Sequence, residues 1–513
     1  MKKIFFLITA VIILSGCKKN FLDSTPSDRL SDANFWKTSA DAAAGVTAIY
    51  DQMQHNYQIY GFMPLTDGVT PNGWIWSGYL NGYSAIAEGN LLPSTATPVK
   101  DKWTQLYNGI YKANLAAEKI SAIAMDETLK KRLLAEAEFL KALFYYNLAD
   151  FYGGVPIVKN TLKLGADLPA RNTREEVLNY VVTACDDAAK NLPNAYSASD
   201  IGRATAGAAL TLKAKAYLLN KQYQQAADAA KQVMDLKTYK LYNDYAAMFT
   251  SVSAENNSEV IFDVQYAGPG LGEGSPLDGL MAPLSSFSHG WDQIFANQDL
   301  VDAYEMKNGL AITDPASGYD PANPYNNRDP RMDYTIIRPG STWKGLPYSS
   351  VNVGSPISVY TGYLPRKNVL TTDGNNWGDS PLNYIVFRYA DVLLMYAEAK
   401  NEASGPDNTV LDAINQVRAR SGVNMPAILS GKSQSEMRSI IQHERRIEFA
   451  FEGNYYSDIR RWGIAGQLMD GRIIKTISGQ QLDVWHFKDA LYLWPIPQDE
   501  IDLNPKLKQN PGY

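Results

Sequence analysis

Glu444, Glu448 and Glu452 recur every four residues, with Arg445 among them, so on a helix their carboxylates stack along one side. Paired carboxylates do the proton transfers of glycoside hydrolysis, one as acid and one as base or nucleophile. The surrounding pattern argues for another use. Ile440, Glu444, Ile447 and Phe451 share a helical face, which buries Glu444 in part, and Arg460 and Arg461 are the expected partners. Buried charges in such a place are normally paired for structure. Arg328, Asp329 and Arg331 around Pro330 read in the same way, as an ion pair that fixes a loop. Other catalytic patterns are missing. There is no GxSxG, and Gly431-Lys432-Ser433 lacks the earlier glycine of a phosphate loop because Pro426 occupies that position. His55, His289, His443 and His486 lie far apart and form no HExxH.

Aromatic residues suggest binding instead. The chain holds 32 Tyr, 10 Trp and 16 Phe, and Tyr and Trp join an apolar face to a polar edge. A sugar ring offers an apolar C–H face and a rim of hydroxyls, which flat aromatic rings and planar polar groups can grip. Trp74 and Trp76 are two residues apart, so in an extended segment both indoles project to one side. Asp67, Asn72, Tyr79 and Asn81 lie close enough in sequence to meet hydroxyls. Trp291, Trp343 and Trp377 stand in a second irregular segment, and Trp291 is the strongest candidate there to face the first pair across a groove. The competing reading is that each ring only packs a loop. Trp36, Trp103 and Trp462 fall in helical stripes and read as core.

The N-terminus addresses the chain to a membrane. Lys2 and Lys3 precede an apolar run from Ile4 to Leu14, too short to span a bilayer and suited to a secretory signal. Leu14-Ser15-Gly16-Cys17 then looks like a lipobox. The expected product begins at Cys17, carries acyl chains on it, and continues through a tether over 17–30 into a body over 31–513. With Cys17 lipidated, Cys185 has no disulfide partner. A net charge of -6 and the absence of a long basic run beyond the leader give no sign of a nucleic-acid partner.

Helical periodicity sets the scaffold. Lys102 to Ile123 is one predicted helix; Leu133, Ala137, Leu140, Phe144, Leu148 and Phe151 mark another, ended by Gly153-Gly154. Arg203 to Asn220 with Gln222 to Leu236, and Tyr389 to Ala403 with Thr409 to Ser421, form two further pairs. Their small and aromatic residues resemble the tetratricopeptide pattern, and such pairs must stack to bury their faces. The fold predicted is mainly α: a tetratricopeptide-like solenoid with helix pairs within about 34–250 and 388–465, minor β, and a long loop-rich segment over about 255–382. The glycine-rich stretch from Gly268 to Gly274 has the wrong spacing for a dinucleotide fingerprint. Long irregular segments usually carry function.

Several ordered strings together resemble the SusD/RagB family of outer-membrane lipoproteins. They are Arg388 to Leu394 with Tyr396-Ala397-Glu398-Ala399; Glu444 to Phe449 with Asp458 to Trp462; Asn327 to Arg331; and Trp494-Pro495-Ile496-Pro497 through Gln509 to Tyr513. The resemblance implies a non-catalytic protein on the outer face of the outer membrane. It implies a lid over a SusC-like TonB-dependent β-barrel transporter, which captures a glycan, or in some relatives a peptide, and delivers it. It also implies four tetratricopeptide-type helix pairs facing the transporter, the first within Asn34 to Ile123, with loops opposite forming the ligand site. Arg328, Asp329 and Arg331 are then also placed to touch the transporter. No cofactor is implied. Some members hold calcium, but the sequence places no ligands for it. An anchored glycan hydrolase and a bare assembly platform remain as alternative functions.

Overall fold

The computed structural model describes residues 35–55, 57–75, 81–283, 290–348, 360–370 and 378–513. Cys17, Trp76, Tyr79, Trp377 and the side chain of Asn81 lie outside these described residues.

The scaffold is a continuous array of helices: α1 (Ser39–His55), α2 (Thr97–Ala122), α3 (Glu127–Tyr152), α4 (Arg174–Asn191), α5 (Ala206–Leu219), α6 (Tyr223–Asp235), α7 (Tyr389–Ser404) and α8 (Asn408–Arg418), with α9 (Gln434–Glu448) packed on α7. Each packs on the next, so α1 supplies the first pair expected before residue 123. Local chemistry sets the ends. Asp126 caps α3 by accepting from the Leu129 N–H, and Gly153 ends it at φ 76°. Thr173 with Glu176 and Ser433 with Glu436 form capping boxes on α4 and α9. The α3 stripe predicted from periodicity is buried, and so are Phe139, Leu143 and Tyr145 on other faces, because α3 sits between α2 and α4. Alanines at 208, 209, 214, 226, 227 and 230 are all buried and let α5 and α6 approach closely.

Between α6 and α7 the chain leaves the array and returns. Strand β2 (Val260–Val264) pairs antiparallel with β4 (Tyr384–Arg388), so the inserted segment exits and re-enters through neighbouring strands. Inside it, β3 (Ile294–Ala296) pairs with β1 (Gly73–Ile75), which joins the insertion to the first irregular island. A hairpin of β5 (Ile473–Lys475) and β6 (Gln481–Val484) lies against this junction through the Ile477 N–H, which donates to the Tyr360 carbonyl at 2.9 Å. Every sheet among the described residues has two strands, so the bulk of the core comes from helix packing.

Candidate functional site

The carboxylates that suggested acid/base chemistry sit in a buried ion network. Glu444 (1% exposed) takes Arg331 at 2.5 Å and Arg418 at 2.8 Å. Glu448 is sealed off and takes Arg331, Arg388 and Arg420 at 2.7–2.9 Å. Arg388 also reaches Glu259 and Glu452, and Lys367 reaches Glu452 at 2.6 Å. Burial alone would raise the carboxyls of Glu444 and Glu448, but the surrounding guanidinium groups hold both below the ordinary value. Burial pushes the Lys367 ammonium down to about 8, against the pull of Glu452. Such groups hold their charge and are shut away from solvent. They tie α9 to the returning strand β4 and to the 328–331 loop.

Two expected pairings differ from this arrangement. Arg460 and Arg461 do not reach Glu444: Arg460 pairs with Asp150 at 3.2 Å, and Arg461 with Asp458 at 2.9 Å and with Glu398. The reason is that both lie on the short helix Tyr455–Arg461, which packs toward the end of α3. Arg331 pairs with Asp329 at 2.7 Å as expected, but Arg328 donates to the carbonyls of Pro324, Val301 and Tyr304 and holds the loop without a carboxylate.

The first island is built inward. Asp67 and Asn72 are fully buried. Asp67 Oδ1 accepts from Asn72 Nδ2 at 3.0 Å and its Oδ2 from the Gly453 N–H at 2.9 Å, while Asn72 Oδ1 accepts from Arg446 Nε at 2.8 Å. These two residues therefore bolt the island to α9 and the turn after it, in place of meeting sugar hydroxyls. Burial, opposed by these hydrogen bonds, pushes the Asp67 carboxyl up to about 6. Trp74, on β1, is 8% exposed. Its ring lies 6.1 Å from Phe295 and 5.7 Å from Tyr360 between centroids, and its N–H points at Asp483 of the hairpin at 3.4 Å. It supports a surface more than it forms one.

Tyr360 is half-buried, its ring 4.9 Å from Phe295. Burial and the nearby Asp292 carboxylate raise its phenol above the ordinary value. Trp291 is half-buried on the same inserted segment, beside Gly279. Trp343 is sealed in the core.

A groove of about 470 Å³ opens between β3 with the helix that follows it and the residues leading into β5. Gln298, Asp299 and Asp302 line one wall; Gln467, Asp470, Arg472 and Lys475 line the other. Arg472 and Asp299 meet across it at 2.6 Å. A relay from Tyr363 to Gln298 at 2.7 Å, and from Gln298 to Asp302 at 2.8 Å, orients the first wall. Sequence reading passed over Tyr360 and this groove. Tyr360-Thr361-Gly362-Tyr363 in the irregular segment was the one available signal; the groove walls are some 170 residues apart in the chain.

The chain aligns over 92% of its length with the whole of a solved SusD-like carbohydrate-binding protein from Bacteroides fragilis, at 30% identity and a TM-score of 0.84. It belongs to the SusD family. The model of that family matches residues 258–513, and a model described as starch-binding associating with outer membrane matches residues 20–218. SusD-like protein P25 of Formosa agariphila is 26% identical over the full length of both chains. A second SusD-like structure from B. fragilis covers 96% of this chain and all of its own at 26% identity, with a TM-score of 0.83. Residues 1–17 match the prokaryotic membrane lipoprotein lipid attachment site, which ends on Cys17. This SusD-family chain is thus a lipid-anchored protein of the outer-membrane surface. Among its described residues no cluster of His, Cys, Asp and Glu has the make-up to hold a metal ion.

Proposed function

We propose that this lipoprotein captures a glycan at the cell surface without altering it and hands it to a SusC-like TonB-dependent transporter. The observation that carries the reading is Tyr360: a half-buried ring seated on buried Trp74 and Phe295, whose carbonyl accepts from the hairpin that also lines a polar groove. That is the pairing of apolar face and planar polar groups that sugar recognition needs. Family membership, and the carbohydrate binding named for the 30%-identical relative, support it. Hydrolysis is the weaker reading, since Glu444 and Glu448 are closed off by arginines. Peptide cargo stays an alternative for the same lid role.

The test is Tyr360→Ala in the lipidated chain. Retention on its cognate polysaccharide falls at least about tenfold, the equivalent of 1.4 kcal/mol, while the melting temperature stays within a few degrees. Unchanged retention sinks the Tyr360 site, and release of shorter sugars by the pure protein sinks capture without turnover. For the partner, solubilising native membranes in mild detergent co-isolates a large β-barrel; recovery of the lipoprotein alone argues against delivery.

A further inference from the structure

We infer that the groove lined by the same hairpin that holds Tyr360 selects an uncharged polysaccharide and takes the part of the chain that runs past the aromatic ring; this rests on the glycan-capture reading above. The hairpin is common to both features. Its β5 residues wall the groove, while Asp483 and Ile477 meet Trp74 and Tyr360. β3 is common too: Phe295 backs the ring, and Asn297, the residue after the strand, lines the groove and donates to the Gly73 carbonyl at 2.7 Å. A glycan lying on Tyr360 therefore continues between these walls.

The lining decides the ligand class. It carries three carboxylates, Asp299, Asp302 and Asp470, against two cations, Arg472 and Lys475. Arg472 is already committed to Asp299, which leaves Asp302 and Asp470 facing Lys475. Beyond the groove, Asp483 lies beside the Trp74 indole, and the whole chain is net negative. A uronate or sulfated chain would meet like charge along this path, and a neutral one would not. The groove is also rich in acceptors. Asn297 is 3% exposed, and its buried Oδ1 has no hydrogen-bond partner among the described residues. Carboxylates and amide oxygens suit the O–H donors of hydroxyls, whereas they give an anionic oxygen nothing to accept from. The groove volume of about 470 Å³ is within the usual range for small-ligand sites.

The experiment uses the lipidated full chain in mild detergent at physiological salt. It compares affinity gels holding uncharged glucans, mannans, xylans and galactans with gels holding alginate, polygalacturonate and carrageenan. Retention on at least one uncharged gel and on none of the anionic ones is expected. Gln298→Ala with Asp302→Asn, both at exposed positions, should weaken that retention about tenfold through two lost hydrogen bonds. Asp302→Lys with Asp470→Lys should add retention on an anionic gel. Stronger holding of an anionic polysaccharide by the wild type overturns the inference, as does neutral retention that neither groove variant changes while both keep the wild-type melting curve. Failure of every gel, neutral and anionic alike, removes the glycan-capture reading itself.

Discussion

Asp67→Asn separates a brace from a ligand contact. In the folded chain burial moves this carboxyl from 3.8 to about 6. Two units at 1.36 kcal/mol each mean that ionised Asp67 costs the fold about 3 kcal/mol. As pH falls, the folded state takes up this proton first, so this group adds stability between about pH 6 and 4 and withholds it above 6. Between pH 7.5 and 4.5 the gain amounts to about 2 kcal/mol for a group with these two pKa values. Asparagine removes the titration and turns one acceptor into a donor, opposite either Asn72 Nδ2 or the Gly453 N–H, at about 1–3 kcal/mol. At pH 7.5 relief of the buried charge offsets that loss, so the variant unfolds within about 2 kcal/mol of wild type. At pH 4.5 it falls about 2 kcal/mol further behind. Urea midpoints read by tryptophan fluorescence at the two pH values measure the difference, and taking variant minus wild type cancels Asp263 and Asp278, which burial also raises to about 6. Asp67→Ala strands both buried donors and costs about 2–5 kcal/mol at either pH. If Asp67→Asn loses glycan retention while its unfolding matches wild type at both pH values, Asp67 binds hydroxyls and the brace is wrong.

Glu448→Ala leaves Arg331, Arg388 and Arg420 without their shared carboxylate and should cost about 3–5 kcal/mol, seen as a lower melting temperature and poor yield; a neutral result would mean the network does not hold α9. Trp74→Ala, at a residue 8% exposed, should destabilise by about 3–5 kcal/mol, and a loss of glycan binding at full stability would instead make its indole a direct contact. Cys17→Ala should move the protein from the membrane to the soluble fraction, so unchanged membrane retention would contradict lipid anchoring through that thiol.

Much of the molecule was legible in the chain. The α3 stripe with its Gly153-Gly154 stop and the return of helical texture at Tyr389 follow from local chemistry, because a helix is decided by residues within a few turns of one another. The lipid attachment segment is likewise a local signal, and the family strings are long and ordered. What the linear reading missed is direction. Asp67, Asn72 and Trp74 have the composition of a sugar site, yet each turns inward toward a partner far along the chain: Gly453 lies 386 residues away, Arg446 374 and Asp483 409. No local pattern encodes such a distance. Tyr360 and the walls of the groove were hidden for the same reason, since they become neighbours only when β1 pairs with β3 and the hairpin closes on both. Periodicity settles which residues form elements; whether a polar side chain braces the fold or faces a ligand is settled by what tertiary packing sets opposite it, because burial charges a polar group for every partner it lacks.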